Sequence, residues 1–121
     1  MAKVLIVDDS PTEVYKFRSI LEKNGFDVLE AESGAQGVAL AKEHMPDLVL
    51  MDVVMPGLNG FQATRQITRG EGTSHIPVII VTTKDQETDR VWGKRQGAFH
   101  YLTKPVDETE LVNVIRSALD G

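Results

Sequence analysis

Five short apolar runs recur along the chain, each followed by a segment whose apolar residues fall at helical spacing. Val4-Leu-Ile-Val7 is continuous and β-branched, the pattern of a strand covered on both faces. Ser10, Pro11 and Glu13 then read as a helix start, with Ser10 as cap and Glu13 closing a capping box. Val14, Phe17, Ile20 and Leu21 form the inner stripe of that helix, and Asn24-Gly25 stops it. Asp27 to Ala31 is a weaker strand, polar at both ends as an edge strand should be. Ser33 and Gln36 suit a second capping box. Val38, Ala41 and Met45 line the helix that follows, and Pro46 ends it. Leu48-Val-Leu-Met51 is a third strand. Past Met55-Pro56-Gly57, the residues Phe61, Thr64, Ile67 and Thr68 mark a third helix. Residues 69 to 75 hold two glycines and no apolar side chain, which predicts a surface loop.

Ile76-Pro77-Val-Ile-Ile-Val81 is a fourth strand, with Pro77 at its start, ending at Thr82 and Thr83. Asp85 to Gln96 predicts a helix stopped by Gly97. Its apolar content is mainly Val91 and Trp92, so it should be the least firmly held. Tyr101-Leu-Thr103 is a short fifth strand followed by Lys104-Pro105. Asp107 and Glu110 cap a last helix striped by Leu111, Val114, Ile115 and Ala118. Strict alternation of strand and helix predicts a doubly wound α/β domain with a five-stranded parallel sheet and helices on both faces. All 121 residues are used by one such domain, with no output domain expected.

Composition narrows the function classes. The net charge of -5 argues against a nucleic-acid binder, which shows a basic face. There is no cysteine, hence no disulfide framework and no thiolate chemistry. The first apolar run is too short for a signal peptide or a membrane span, so a cytoplasmic location is expected.

In an open parallel sheet, sites form outside the carboxyl ends of the strands. Here those ends carry Asp8-Asp9, Asp52, Thr82 and Lys104. Each alone is an ordinary turn or capping residue; their coincidence on four strands is not. Carboxylates brought to about 4 Å repel by about 4 kcal/mol per pair at an effective dielectric of 20. They must protonate, separate or hold a cation. The donors are hard oxygens, which points to Mg2+. Carboxylate, Mg2+, Lys104 and the Thr82 hydroxyl together suit phosphoryl transfer, which is largely positioning and charge neutralisation. A carboxylate can itself be the nucleophile and give an aspartyl phosphate.

These residues carry a family resemblance. Val7-Asp8-Asp9, Asp52 with Met55-Pro56-Gly57 and Gly60, Val81-Thr82, Gly97-Ala98 before Tyr101, and Lys104-Pro105 resemble the receiver domain of two-component response regulators from end to end. The stretches Met55 to Arg65 and Val81 to Glu87 are most similar to regulators of type IV pilus twitching motility. The resemblance implies a flavodoxin-like strand order 2-1-3-4-5. It implies that Asp52 accepts a phosphoryl group from a sensor histidine kinase. Asp9 and Asp52 would ligate Mg2+ directly, Asp8 partly through water, and Val54 through its backbone carbonyl. Thr82 would move toward the phosphoryl group, Tyr101 would follow it inward, and Lys104 would pair with a phosphoryl oxygen across an often-cis bond to Pro105. The fourth helix, fifth strand and fifth helix would present the changed face to a protein partner, with Trp92 on it if exposed. The protein would act as a monomer or weak dimer. Val54 would restrict attacking water, Lys84 would help tune the phosphate lifetime, and Thr83 would narrow access to Asp52. His44, His75 and His100 lack ligand spacing and read as surface residues.

Two other classes share parts of this pattern. A small Mg2+-dependent phosphatase acting through an aspartyl phosphate uses the same chemistry. However, Asp52-Val-Val54 lacks a second acid two residues on, and no cap insertion is present. A flavodoxin-like cofactor binder needs a Gly-rich phosphate loop after the first strand, where Asp8-Asp9 stands instead.

Overall fold

The computed structural model describes residues 1–120; Gly121, the last residue of the expected domain, lies outside the described residues. Five strands, β1 (Lys3–Val7), β2 (Asp27–Ala31), β3 (Leu48–Met51), β4 (Val78–Thr82) and β5 (His100–Thr103), alternate with α1 (Pro11–Lys23), α2 (Gly34–His44), α3 (Gly60–Thr68), α4 (Glu87–Arg95) and α5 (Glu108–Asp120). All strand pairs are parallel. Their order is β2-β1-β3-β4-β5, as the family resemblance implies.

The continuous apolar runs are explained by two cores, one on each face of the sheet. Val4, Ile6, Leu48, Leu50, Ile79 and Val81 point to one face, where Phe17 and Leu21 of α1 and Leu111 and Ile115 of α5 cover them. The alternate residues Leu5, Val7, Val49, Met51 and Val78 point to the other, under Val38 and Ala41 of α2 and Ala63 and Ile67 of α3. Side chains alternate sides along a strand, so a strand buried on both faces must be apolar throughout. Each fully buried Leu or Ile contributes about 1.5–3 kcal/mol.

Several local expectations are revised. β4 begins at Val78 rather than Ile76. Pro77 has no N–H for the ladder, and its carbonyl accepts from Val49 N instead. Met45 does not line α2. It is exposed, in the left-handed region at φ 47, and caps the helix, because Pro46 disfavours a helical conformation in the residue before it. Residues 69 to 75 are not wholly superficial. Thr73 is buried and its hydroxyl donates to the Ile67 carbonyl at 2.7 Å. A threonine can be buried when its hydroxyl is bonded, and here it satisfies a carbonyl in the last turn of α3.

α4 is shorter than expected, with Gln86 as its N-cap, and Val91 and Trp92 both face outward. Polar contacts hold it instead: Arg90 donates to the Thr103 hydroxyl and to the Tyr101 carbonyl, and its guanidinium lies over the Tyr101 ring. His44 and His75 are exposed, whereas His100 is half-buried on β5, and burial pushes its pKa down. Only half of the expected box at α1 forms. Ser10 accepts from Glu13 N, but the Glu13 side chain turns elsewhere.

Candidate phosphoacceptor and metal site

The parallel register gathers the strand ends. Asp52 N donates to Val7 O at 2.9 Å and Lys104 N donates to Thr82 O at 2.8 Å, so hydrogen bonding between neighbouring strands continues into the site residues. Asp8 and Asp9 leave β1, Asp52 leaves β3, Thr82 is the last residue of β4, and Lys104 follows β5. Asp8, Asp9 and Asp52 each present a carboxylate oxygen within 4.8 Å of the others. Asp8 and Asp52 are buried, whereas Asp9 is exposed.

Lys104 lies between the acids. Its Nζ is 2.9 Å from Asp8 Oδ2, 3.3 Å from Glu13 Oε1 and 3.9 Å from Asp52 Oδ1. Burial works against the ammonium, but the Asp8, Asp52 and Glu13 carboxylates outweigh it and raise the Lys104 pKa. Lys104 is thus a fixed cation. Asp52 is moved the other way from a paired acid: burial raises its pKa, and Asp8 adds to this, against Lys104 and the Val53 N–H. Its Oδ1 accepts from Val53 N at 2.9 Å. Asp8 is held more fully, with Oδ1 accepting from Ser10 N at 2.9 Å and Oδ2 from Lys104.

The turn after Asp52 is shaped by close packing. Gly57 adopts φ +75 within it. At Gly60 a Cβ would lie 1.9 Å from the Asp52 carbonyl oxygen, so only glycine lets α3 start directly against the Asp52–Val53 backbone. Val54 projects its side chain to solvent at 57% exposure. Val54, Lys84 and Trp92 line one shallow groove of about 420 Å3 with Met55, Asn59 and Phe61. Thr83, next to Lys84 in the chain, is exposed. Tyr101 is buried, and its hydroxyl donates to Lys84 O at 2.8 Å, so it already lies inward. The Lys104–Pro105 bond is cis.

One site residue escaped the sequence reading. Glu13 looked like the reciprocal half of a capping box. The available signal was its place in the first turn of the helix that leaves Asp8-Asp9, one helical turn before Phe17. Both side chains approach Lys104, whose Nζ is 5.8 Å from the centre of the Phe17 ring.

Hard carboxylate oxygens at the carboxyl edge of the sheet fit a small divalent cation that retains water, and the lysine beside them fits a phosphoryl group. Such a fold and site define a phosphotransfer signalling domain. The profile of the response regulator receiver domain family matches residues 4–116, and the chain belongs to that family. It is 69% identical over 121 residues, spanning the whole of both chains, to Protein PilH of Pseudomonas aeruginosa. Among solved structures, the chemotaxis protein CheY4 of Vibrio cholerae superposes with a TM-score of 0.92 at 29% identity, over 98% of this chain and 99% of that one. The receiver domain of a sensor histidine kinase from Pseudomonas aeruginosa, which holds a magnesium ion in its active-site cleft, gives 0.92 at 29% identity, over 99% of this chain and 98% of that one. Among the described residues, no helix is long and apolar enough to cross a membrane.

Proposed function

We propose that this receiver domain is a phosphorylation switch whose acceptor is Asp52. A carboxylate oxygen of Asp52 attacks phosphorus as the N–P bond of a kinase phosphohistidine breaks. The imidazole leaves, and the phosphoryl group remains as an aspartyl phosphate. Lys104 compensates the charge on the phosphoryl oxygens, and the Thr82 hydroxyl donates to one of them. Asp8, Asp9, Asp52 and the Val54 carbonyl would hold Mg2+, which when bound neutralises phosphoryl charge during transfer. The observation that carries this reading is a buried Asp52 flanked by two carboxylates within 4.8 Å and an ammonium at 3.9 Å. Three acids explain a cation; the lysine 3.9 Å from Asp52 explains an incoming anion.

Output runs through protein contact on the face of α4, β5 and α5, with Tyr101 and the Thr82 loop linking it to the site. Thr83, Lys84, Val54 and the half-exposed Trp92 shape access to Asp52 and the partner surface beside it. The likeness to PilH supports a role in control of type IV pilus twitching; the same proposal has the protein act in the cytoplasm as a single receiver domain, monomeric or weakly dimeric. Incubation with Mg2+ and acetyl phosphate tests the central claim. An acid-stable, base-labile adduct one phosphoryl group heavier is expected, absent in Asp52→Asn. No adduct in the native protein, or an equal one in the variant, overturns it.

A further inference from the structure

We propose that Glu13 is a positioning residue that keeps the Lys104 ammonium at the acceptor when a cation engages Asp8; this rests on the phosphoacceptor reading of the site. Lys104 Nζ has three donors and meets three carboxylates, with Asp8 nearest, Glu13 next and Asp52 farthest. Asp8 belongs to the group of acids that fits a cation. A carboxylate oxygen turned toward Mg2+ is a poorer partner for an ammonium. Lys104, buried to 10% side-chain exposure, then needs another counter-charge. Glu13 lies outside the acid cluster, so it remains available whether or not a cation is bound.

Its place on α1 makes this role possible. Glu13 sits in the first turn, where Ser10 accepts from its backbone N–H. Phe17, four residues on, lies on the same helix face and puts its ring under Lys104. The ammonium is therefore held from the α1 side by one carboxylate and one aromatic ring, and from the sheet side by Asp8 and Asp52. A Glu13 needed only for capping would return its side chain to the Ser10 N–H, which it does not do.

Without Glu13, Lys104 depends on Asp8 more heavily, and cation binding has to break that pair without a substitute. Glu13→Gln should therefore weaken Mg2+ binding. Removing any nearby negative charge has the same sign, so a single variant does not separate the two causes. A double-mutant cycle does. Mg2+ affinity is measured by calorimetry on the wild-type protein, Glu13→Gln, Lys104→Met and the double variant. Acting through Lys104, Glu13→Gln weakens Mg2+ roughly three- to tenfold in the wild-type background, the scale of one partly buried ion pair. It changes little in the Lys104→Met background. An equal loss in both backgrounds means that Glu13 acts only through its field, and overturns the proposal; so does no loss in either.

Glu13 also sits at the positive end of α1, so its replacement alters stability whatever its role. Denaturant melts in chelator report that part separately, and they do not predict the coupling. Phosphorylation of the wild-type protein by acetyl phosphate is run alongside. If it fails, the phosphoacceptor reading falls; if it succeeds and the cycle shows no coupling, only the role of Glu13 falls.

Discussion

Replacing Asp52 by Asn should make the metal-free protein more stable at neutral pH. The Asp52 carboxylate is 8% exposed and has Asp8 and Asp9 oxygens within 4.8 Å. At an effective dielectric of 20, a charge pair at that distance repels by about 3.5 kcal/mol. Asp9 is exposed, and solvent screens much of its share. Lys104 at 3.9 Å returns about 4 kcal/mol by the same reckoning. Asp8 and Lys104 nearly cancel, and the cost of desolvating the charge remains. Asn keeps the shape and an oxygen for the Val53 N–H, so it removes the charge and little else. A gain of about 1–3 kcal/mol is expected, the range for relieving an incompletely satisfied buried group. For this chain length about 1 kcal/mol corresponds to about 4 °C in Tm.

The pH dependence gives the sharper test. Burial raises the folded-state pKa of Asp52 above its ordinary value of 3.8. Between those two values the folded protein retains a proton that the unfolded chain releases. Stability due to this group therefore falls as pH rises through the window, and the penalty is complete above the folded pKa. Urea melts of both proteins in chelator across acid to neutral pH measure the difference. The advantage of Asp52→Asn should grow with pH, level off, and vanish below 3.8. Added Mg2+ should stabilise the wild-type protein and narrow the gap. A variant no more stable than wild type at neutral pH, or one whose advantage persists unchanged in acid, refutes the reasoning.

Gly60→Ala should cost about 3 kcal/mol or more and weaken Mg2+ binding, because its Cβ would meet the Asp52 carbonyl oxygen at 1.9 Å; melts within 0.5 kcal/mol of wild type, on the order of an ordinary surface change, would show that the turn is not constrained in this way. Burial pushes the Tyr101 phenol up to about 12, so folding loses stability as pH rises from 10 toward 12. Tyr101→Phe removes that alkaline sensitivity, and loss of the bond to Lys84 O costs about 1 kcal/mol at neutral pH; alkaline melts of the two proteins provide the comparison. Thr73→Val should destabilise by about 1 kcal/mol through the lost bond to Ile67 O, measured by urea melts, whereas a wholly exposed loop residue would give no change.

The order of elements and the class of sheet were determined by the sequence alone. Runs such as Val4–Val7 and Leu48–Met51 are buried on both faces, and a run apolar at every position fits a covered parallel strand. The acids, the hydroxyl and the amine at strand ends were legible for a related reason. A parallel sheet places all its carboxyl ends on one edge, so position along the chain already implies position in space. What the sequence left open were matters of direction. Glu13 had the residue type and spacing of a capping partner, and only the reach of Lys104 from the end of β5 across the edge of the sheet gave it a charged partner. Val91 and Trp92 carried the apolar content of α4, yet the helix rotates them outward and Arg90 holds it instead. Thr73 looked superficial because a threonine in a glycine-rich stretch ordinarily is, and only the carbonyl of Ile67 made its burial favourable. Asp52 belongs to both lists. Its place at the end of β3 was written in the chain, while its raised pKa comes from the depth of the cleft and from Asp8, against the opposing charge of Lys104, and these come together only when the strand ends and α1 meet.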